Sequence, residues 1–368
     1  MVELGKLLLT QKPSLSIHIL ITSVPYDSGS TAPYIANVAA TIPSIKFHYL
    51  PTVTLPSTKT TNYEELTFEV LRLSNPHVRE QVLSISKNYT IHGLVVDFFC
   101  CAALNVAKEL NIPGYHFSTS GAGILAVFHY FPTIHNTTTK SLKDLKSLLH
   151  IPGVPPIPSS DMPIPVLHRD DKSYENFLDS SRSFPESAGI VVNTFESLEA
   201  RAVKTLSEGL CVPNNRTPPI YCIGPLIATE GPKDDAECLT WLDSQPVGSV
   251  VFLCFGSLGL FSKEQLREIA FGLERSGHRF LWVVRNPPSV NKSVSLSEMK
   301  LALPMNDSDN GFVSSAEVEE RVLGLMESEE GKLIRERAIA MKIAAQAALN
   351  EGGSSRVALS QLVESWKH

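Results

Sequence analysis

The fold is decided by Ser249-Val-Val-Phe-Leu-Cys-Phe-Gly-Ser-Leu-Gly259 together with the two patterns that follow it, at 263–276 and 279–285. The pattern is that of a β-α-β unit: an apolar run, a turn containing glycine, an amphipathic helix and a second apolar run. Its strands must be parallel because the helix crosses over between them. Short strands also alternate with longer helices in the first two thirds of the chain, so the sequence predicts an α/β fold with parallel sheets.

The first two thirds of the chain contain five predicted strands, separated by helical patterns. The strands are 16–22, 45–50, 93–97, 114–117 and 189–193, and the helices are 34–40, 63–86, 101–110, 122–131 and 174–181. Prolines between Ile151 and Pro165 exclude a helix or an inner strand, so this stretch is expected to be a long surface excursion.

The last third contains fewer strands than helices. A short helix is expected at 236–243, a crossing segment at 219–225, and three helices at 315–327, 332–350 and 354–366. Ser314 and Glu317 have the spacing of a capping box at the start of the first of these three helices. With two predicted strands against five, the second domain is expected either to be built differently or to lack a part.

Composition excludes several classes of protein. The chain has 368 residues, 43% of them apolar and 19% charged, with a formal net charge of −6. A disordered tail protein or a general nucleic-acid binder is therefore not expected. No secretion signal or membrane span is predicted, and the six cysteines lack metal-site spacing. We expect a cytoplasmic protein with reduced thiols and no bound metal.

Three stretches could contribute to a binding site, and each has a simpler interpretation. The turn at Gly256 and Ser257 could bind a phosphate or simply start a helix. Asp97, the last residue of a predicted strand, could orient a histidine base or cap the helix near Cys101. The hydroxyls in 116–121 could contact a polar ligand or cap the next helix. The spacing leaves these alternatives open.

Several motifs in a fixed order carry a family resemblance over essentially the whole chain. The chain resembles the plant UDP-dependent glycosyltransferases, and in particular the branch that glucosylates flavonoids, chalcones and related phenolics. The motifs are Leu94-Val-Val-Asp-Phe-Phe99, Val192-Asn-Thr-Phe-Glu196, Ile223-Gly-Pro-Leu226, Trp241-Leu-Asp-Ser-Gln-Pro246, the 249–259 stretch, Phe261-Ser-Lys-Glu-Gln265, Arg279-Phe-Leu-Trp-Val-Val-Arg285 and Glu351-Gly-Gly-Ser-Ser355.

The resemblance implies a GT-B architecture of two Rossmann-like domains, the second incomplete. Residues 1–222 would bind the acceptor, residues 223–350 the nucleotide sugar, and the helix in 351–368 would return to the first domain. UDP-glucose would be a co-substrate and a phenolic the acceptor, with no other cofactor and no nucleic-acid partner. The protein is expected to be a monomer.

The resemblance also assigns roles to residues for an inverting displacement. Asp97 matches an aspartate that steadies the catalytic histidine. Gly256 and Ser257 match a loop at the diphosphate, and Thr119 or Ser120 matches a position that reaches the sugar. An apolar acceptor wall is expected from Phe98, Phe117 and Phe128.

Two features of the family pattern are missing from this sequence. The strand and glycine-rich turn with the histidine would precede the helix at Met1 to Thr10, and His92 cannot replace that histidine because it lies at the opposite end of Asp97's strand. A donor-binding signature, with a His-Cys-Gly-Trp-Asn-Ser run, is expected between Val290 and Lys300 but is absent, which predicts an internal deletion. The alternative function is therefore a catalytically silent truncated or splice form that at most binds aromatic acceptors or a partner.

Overall fold

A computed structural model of the protein describes residues 1–23, 31–55, 62–213, 216–228, 237–256, 261–284, 305 and 311–367. The chain divides into two compact units. The first comprises residues 1–228 and 344–368, and the second comprises residues 229–343. The predicted division into an acceptor domain and a nucleotide-sugar domain concerns ligands and stays a prediction.

Two parallel sheets form the centre of the first unit. Its strands are β1 (Ile17–Ile21), β2 (Ile45–Tyr49), β3 (Leu94–Val96), β4 (Gly114–Ser118), β5 (Leu148–Leu149), β6 (Ile157–Pro158), β7 (Gly189–Val192) and β8 (Ile220–Cys222). β3, β4, β7 and β8 form one parallel sheet in that order, whereas β1 and β2 form a separate parallel pair. The five predicted strands are confirmed, but they lie in two sheets. β8 falls where the sequence predicts only a crossing segment.

Helices cover the sheets of the first unit. They are α1 (Val2–Gln11), α2 (Ala32–Thr41), α3 (Tyr63–Leu73), α4 (Asn75–Ser86), α5 (Leu104–Glu109), α6 (Ala122–Thr137), α7 (Leu142–Leu145), α8 (Lys172–Ser183) and α9 (Ala200–Ser207). The predicted helix 63–86 is interrupted at Ser74, whose hydroxyl donates to the Val70 carbonyl at 2.8 Å. Pro76 then occupies the first turn of α4, where its missing N–H costs little.

The larger sheet separates two apolar cores because side chains alternate along each strand. On one face, Ile190 and Val192 pack among residues of α6 and α8. On the other, Phe117 and Val191 pack against Leu4 of α1. Both faces of the sheet are therefore buried, as expected for parallel strands.

The proline-rich stretch does not behave as the predicted surface excursion. Within it, β6 pairs antiparallel with β5, which precedes the stretch. Ile151 and Met162 are buried in the same core as residues of α6 and α8. Prolines exclude a regular helix or inner strand, but they do not prevent the residues between them from packing. The prediction of no helix and no inner strand was therefore right, and the prediction of a surface position was wrong for the buried residues.

The second unit contains one parallel strand pair and the helices around it. Its elements are α10 (Glu237–Asp243), β9 (Val250–Cys254), α11 (Lys263–Arg275), β10 (Arg279–Val283) and α12 (Ser315–Glu327), followed by α13 (Glu329–Leu349), which ends in the first unit. β9 and β10 pair in parallel as predicted. The predicted cap at Ser314 is also confirmed, since its side chain accepts from the Glu317 N–H at 3.3 Å. The predicted deletion at 290–300 lies outside the described residues.

The last helix, α14 (Ser354–Glu364), packs in the first unit beside α1. Its Ser355 hydroxyl donates to the buried Gly224 carbonyl at 2.6 Å, and Ser360 accepts from Gln11 of α1 at 2.8 Å. Leu359 and Leu362 of the same helix are buried in the core that contains Leu4 of α1.

Candidate active site

Asp97 lies directly after β3, at the carboxyl edge of the larger sheet. Its Oδ1 accepts from the Cys100 N–H at 2.9 Å, in the turn before the short helix at Cys101–Ala103, whose N-cap residue is Cys100. Burial raises the pKa of the Cys100 thiol, and the neighbouring Asp97 carboxylate raises it further. Burial lowers the pKa of the Met1 α-amino group, an effect that the same carboxylate opposes. A carboxyl group, that of Asp97, thus lies close to the Cys100 thiol at this edge of the sheet.

None of the described residues places an imidazole in hydrogen-bond contact with Asp97. His92 lies before the first residue of β3 and stacks on Trp366, with ring centroids 6.2 Å apart. The prediction that His92 is at the wrong end of the strand is thus confirmed. His116 and His129 are buried on one face of the sheet, packed on Phe184.

The three phenylalanines predicted to form an acceptor wall do not lie together. Phe98 and Phe128 are in contact, with ring centroids 4.9 Å apart, within a cluster that also contains Phe68 and Phe177. Phe117 is buried in the core on the other face of the sheet. The expectation of a single wall is corrected because Phe117 and its neighbour His116 point to opposite faces of β4. A role for Phe98 and Phe128 in binding an acceptor stays a prediction.

Thr119 and Ser120 lie in the turn between β4 and α6, at the same sheet edge as Asp97. The Ser118 hydroxyl donates to the Ser120 carbonyl at 3.0 Å. Because parallel strands end at one edge, this turn and Asp97 share the edge where α/β sheets bind ligands. Contact of Thr119 or Ser120 with a sugar stays a prediction.

Glu199 holds the start of α6, and the sequence gives no local signal of this. Its carboxylate accepts from the Ala122 and Gly123 N–H groups, both at 2.8 Å, and from the Thr194 hydroxyl at 2.5 Å. A side chain at Gly121 would meet this carboxylate, since a Cβ there would lie 2.4 Å from Glu199 Oε2. An internal anion thus satisfies the helix N-terminus beside the candidate sugar site.

The predicted phosphate turn is only partly described. Gly256 follows β9 and has a φ of +69°, a backbone conformation that favours glycine. Apart from its chain neighbours, none of the described residues has an atom within 4 Å of the position that a Cβ of Gly256 would take. Ser257 lies outside the described residues, so contact of this turn with a diphosphate stays a prediction.

A cavity of about 530 Å³ opens beside Asp97 within the first unit. Met1, Asp97 and Cys100 line it near the carboxyl edge, and residues of β1, β3, α1 and α4 line the rest. No group of three or more His, Cys, Asp or Glu side chains suited to a metal occurs among the described residues. None of the helices in the described ranges is long and apolar enough to cross a membrane.

Comparison with curated proteins finds relatives that match the whole chain. UDP-glycosyltransferase 88B1 of Stevia rebaudiana is 40% identical, covering 100% of this chain and 96% of the relative. Anthocyanidin 5,3-O-glucosyltransferase of a Rosa hybrid cultivar is 39% identical with the same coverage. Phloretin 2'-O-glucosyltransferase of Malus domestica is 36% identical over 99% of this chain and 96% of the relative. No model of a protein family matches the chain.

Solved structures agree with this similarity. Phytolacca americana UGT2, complexed with UDP-2fluoro-glucose and pterostilbene, has a TM-score of 0.87 at 29% identity, covering 100% of this chain and 96% of that one. A UDP-glucosyltransferase from Polygonum tinctorium capable of glucosylating indoxyl has a TM-score of 0.88 at 28% identity, covering 100% and 95%. The Stevia alignment spans 444 positions whereas this chain has 368 residues, so about 76 positions of the alignment have no counterpart here.

Proposed function

This chain belongs to the plant UDP-dependent glycosyltransferases and has their GT-B fold, and on that premise we propose that it transfers glucose from UDP-glucose to a hydroxyl of a flavonoid-like phenolic. The observation that carries the proposal is the similarity, at 36 to 39% identity, to relatives whose names specify anthocyanidin and phloretin as acceptors. A catalytically silent form is not favoured, because each of these relatives is a UDP-glycosyltransferase.

The reaction requires a hydroxyl oxygen to attack the anomeric carbon while the bond from that carbon to the UDP oxygen breaks. The proton of the hydroxyl must leave at the same time. Asp97 is a carboxylate at this sheet edge, and none of the described residues places an imidazole against it, so we propose that Asp97 itself accepts this proton. The neighbouring cluster of Phe98 and Phe128 supplies an apolar surface of the kind that phenolic rings contact.

The proposed acceptor and donor classes can be tested directly. Purified protein is incubated with UDP-glucose carrying ¹³C in the sugar and with a panel of phenolics, including an anthocyanidin and phloretin. We expect glucosides with the mass shift of the label, detected by liquid chromatography and mass spectrometry. Failure to form any labelled glucoside, with folded protein and with other UDP-sugars also supplied, would contradict the proposal.

Replacement of Asp97 by asparagine should lower glucoside formation by about a hundredfold or more, since loss of a proton-transfer partner has effects of this order. The amide oxygen of asparagine can still accept from the Cys100 N–H, so this hydrogen bond and the fold should persist. The matched control is Asp170→Asn, because Asp170 is exposed in a turn. Equal activity of both variants, at equal melting temperature, would remove Asp97 from the mechanism.

We also propose that the enzyme acts as a monomer in the cytoplasm. Sedimentation of the purified protein and fractionation of expressing cells test these two statements separately. Association at micromolar concentration, or recovery in a membrane or organelle fraction, would contradict them.

A further inference from the structure

Both oxygens of the Glu199 carboxylate are engaged at the start of α6. Oε1 accepts from the Gly123 N–H, and Oε2 accepts from the Ala122 N–H and the Thr194 hydroxyl. The N-cap residue of this 16-residue helix is Gly121, which has no side chain that could satisfy these N–H groups. Glu199 therefore supplies the negative charge that the N-terminus of a helix favours.

The space between Glu199 and the start of α6 is full. A Cβ at Gly121 would lie 2.4 Å from Glu199 Oε2, and a Cβ at Gly123 would lie 3.3 Å from Oε1. An incoming anion could reach the Ala122 and Gly123 N–H groups only by displacing the carboxylate. The N-terminus of α6 would otherwise be a favourable place for an anion. Glu199 thus closes it to anionic ligands.

The carboxylate of Glu199 is held by neutral groups. In the part of the chain that the structure describes, no salt bridge joins it to a lysine, arginine or histidine side chain. Its charge acts on a neighbouring group: burial raises the pKa of the Cys222 thiol to about 11, and the Glu199 carboxylate contributes to that rise. Since partly buried charges are weakly screened by salt, a ligand at this edge of the sheet experiences the same negative charge.

The turn that is expected to contact the sugar lies directly beside Glu199. Thr119 and Ser120 immediately precede Gly121, and they follow β4, the strand that pairs with β3. Neighbouring strands lie about 4.8 Å apart, so a sugar whose anomeric carbon reacts beside Asp97 can reach this turn. Its hydroxyl groups can bind the side chains of Thr119 and Ser120 without displacing Glu199.

We propose that Glu199 makes the enzyme selective for UDP-sugars whose sugar is uncharged and excludes those whose sugar carries a carboxylate. The proposal rests on the proposed function, with the sugar at the turn of Thr119 and Ser120. A uronic acid at this turn would bring its carboxylate toward that of Glu199, and like charges that face each other in a binding site lower affinity. It would also find the N–H groups of α6 already occupied. Glu199 is thus a specificity-determining residue that acts by repulsion.

UDP-glucose and UDP-glucuronate form the test pair, because the second has a carboxylate where the first has a hydroxymethyl group. We compare kcat/KM for the two donors in the unmodified protein, in Glu199→Gln and in Glu196→Gln, and measure the melting temperature of each. The unmodified protein should prefer UDP-glucose by at least about a hundredfold, because like charges brought together cost this much affinity or more. In Glu199→Gln the preference should fall by at least about tenfold, since the amide keeps the shape of the side chain without its charge.

The ratio between the two donors separates charge selection from a merely structural role. A disturbed start of α6 would lower kcat/KM for both donors alike and leave their ratio unchanged. Glu196→Gln is the matched control, since Glu196 is exposed three residues away and its replacement removes the same charge. Because exposed charges are strongly screened, this variant should keep the wild-type ratio within about twofold.

Binding of the two donors, measured by isothermal titration calorimetry without acceptor, gives a readout that needs no catalysis. The ratio of the two dissociation constants should change in Glu199→Gln as the ratio of kcat/KM does. An unchanged donor ratio, with glucoside still formed, would overturn this proposal and leave the proposed function standing. A changed binding ratio without any glucoside would support this proposal and contradict the proposed transfer. Failure of the unmodified protein to bind UDP-glucose would contradict both.

Discussion

Replacement of Glu199 by alanine is expected to lower the free energy of unfolding of the first unit by about 3 kcal/mol, since hydrogen bonds to a charged group contribute about 1.5–3 kcal/mol each and are not additive. The variant removes the acceptor of the Ala122 and Gly123 N–H groups at the start of α6. It also leaves the hydroxyl of Thr194, a buried residue, without this partner. The first of these losses falls where the chain leaves the turn at Thr119 and Ser120 and enters α6.

The measurement is chemical denaturation together with hydrogen exchange of the peptide that contains the first turn of α6. Glu199→Gln separates charge from shape and should show an intermediate loss, because its amide can accept but no longer carries the charge. Glu196→Ala is the matched control, since Glu196 is exposed three residues away and should change stability by less than about 0.5 kcal/mol. Unchanged exchange at Ala122 and Gly123 in Glu199→Ala would refute the assigned role.

The sequence predicts those parts of the fold that depend on local pattern. β7 is a short apolar run, and α12 begins at its predicted cap, so each is identified by residues within its own segment. The position of Asp97 and of Thr119 at one sheet edge also follows, because parallel strands end on the same side. Local pattern thus predicts which residues lie near the candidate site.

What the sequence does not predict depends on contacts between distant segments. Glu199 meets Ala122 across 77 positions of the chain, and no spacing rule connects them. β1 and β3 lie in separate sheets, and this arrangement depends on the pairing between strands. The pattern of an individual strand does not encode its pairing. Phe117 is different: alternation along β4 does place it opposite His116, so its exclusion from the Phe98 cluster can be read from the strand pattern.

Two buried histidines should make the first unit sensitive to acid. His116 and His129 are each 1% exposed, and burial lowers the pKa of His116 to about 3 and that of His129 to about 4. The charge of a protonated His129 is a smaller part of this same lowering of the pKa of His116. His116 Nε2 is hydrogen-bonded to the Ser183 hydroxyl at 3.1 Å, whereas both ring nitrogens of His129 find no partner among the described residues.

The direction of the pH effect follows from these lowered pKa values. Below about pH 6.5 the unfolded chain binds protons at both histidines, while the folded chain does not until about pH 4 at His129 and about pH 3 at His116. Stability is therefore complete above pH 6.5 and falls as the pH is lowered through this window. Each histidine contributes a slope of about 1.4 kcal/mol per pH unit, so the two together should remove about 4 kcal/mol or more between pH 6.5 and 4.5.

Replacement of His129 by leucine should reduce that slope by about half and raise stability at neutral pH by about 1 kcal/mol, because two unpaired buried nitrogens are replaced by an apolar group of similar size. The measurement is the free energy of unfolding by denaturant at several pH values from 7 to 4.5.

Carboxylates contribute to acid unfolding in every variant, so the difference in slope between variants isolates the contribution of the imidazole. His168→Gln, at an exposed position, is the control and should keep the wild-type slope. Burial against Phe184 should make protonation of His129 costly in the folded state. If the His129→Leu slope equals that of the control, His129 binds its proton as readily in the folded state as in the unfolded chain, and the prediction is wrong.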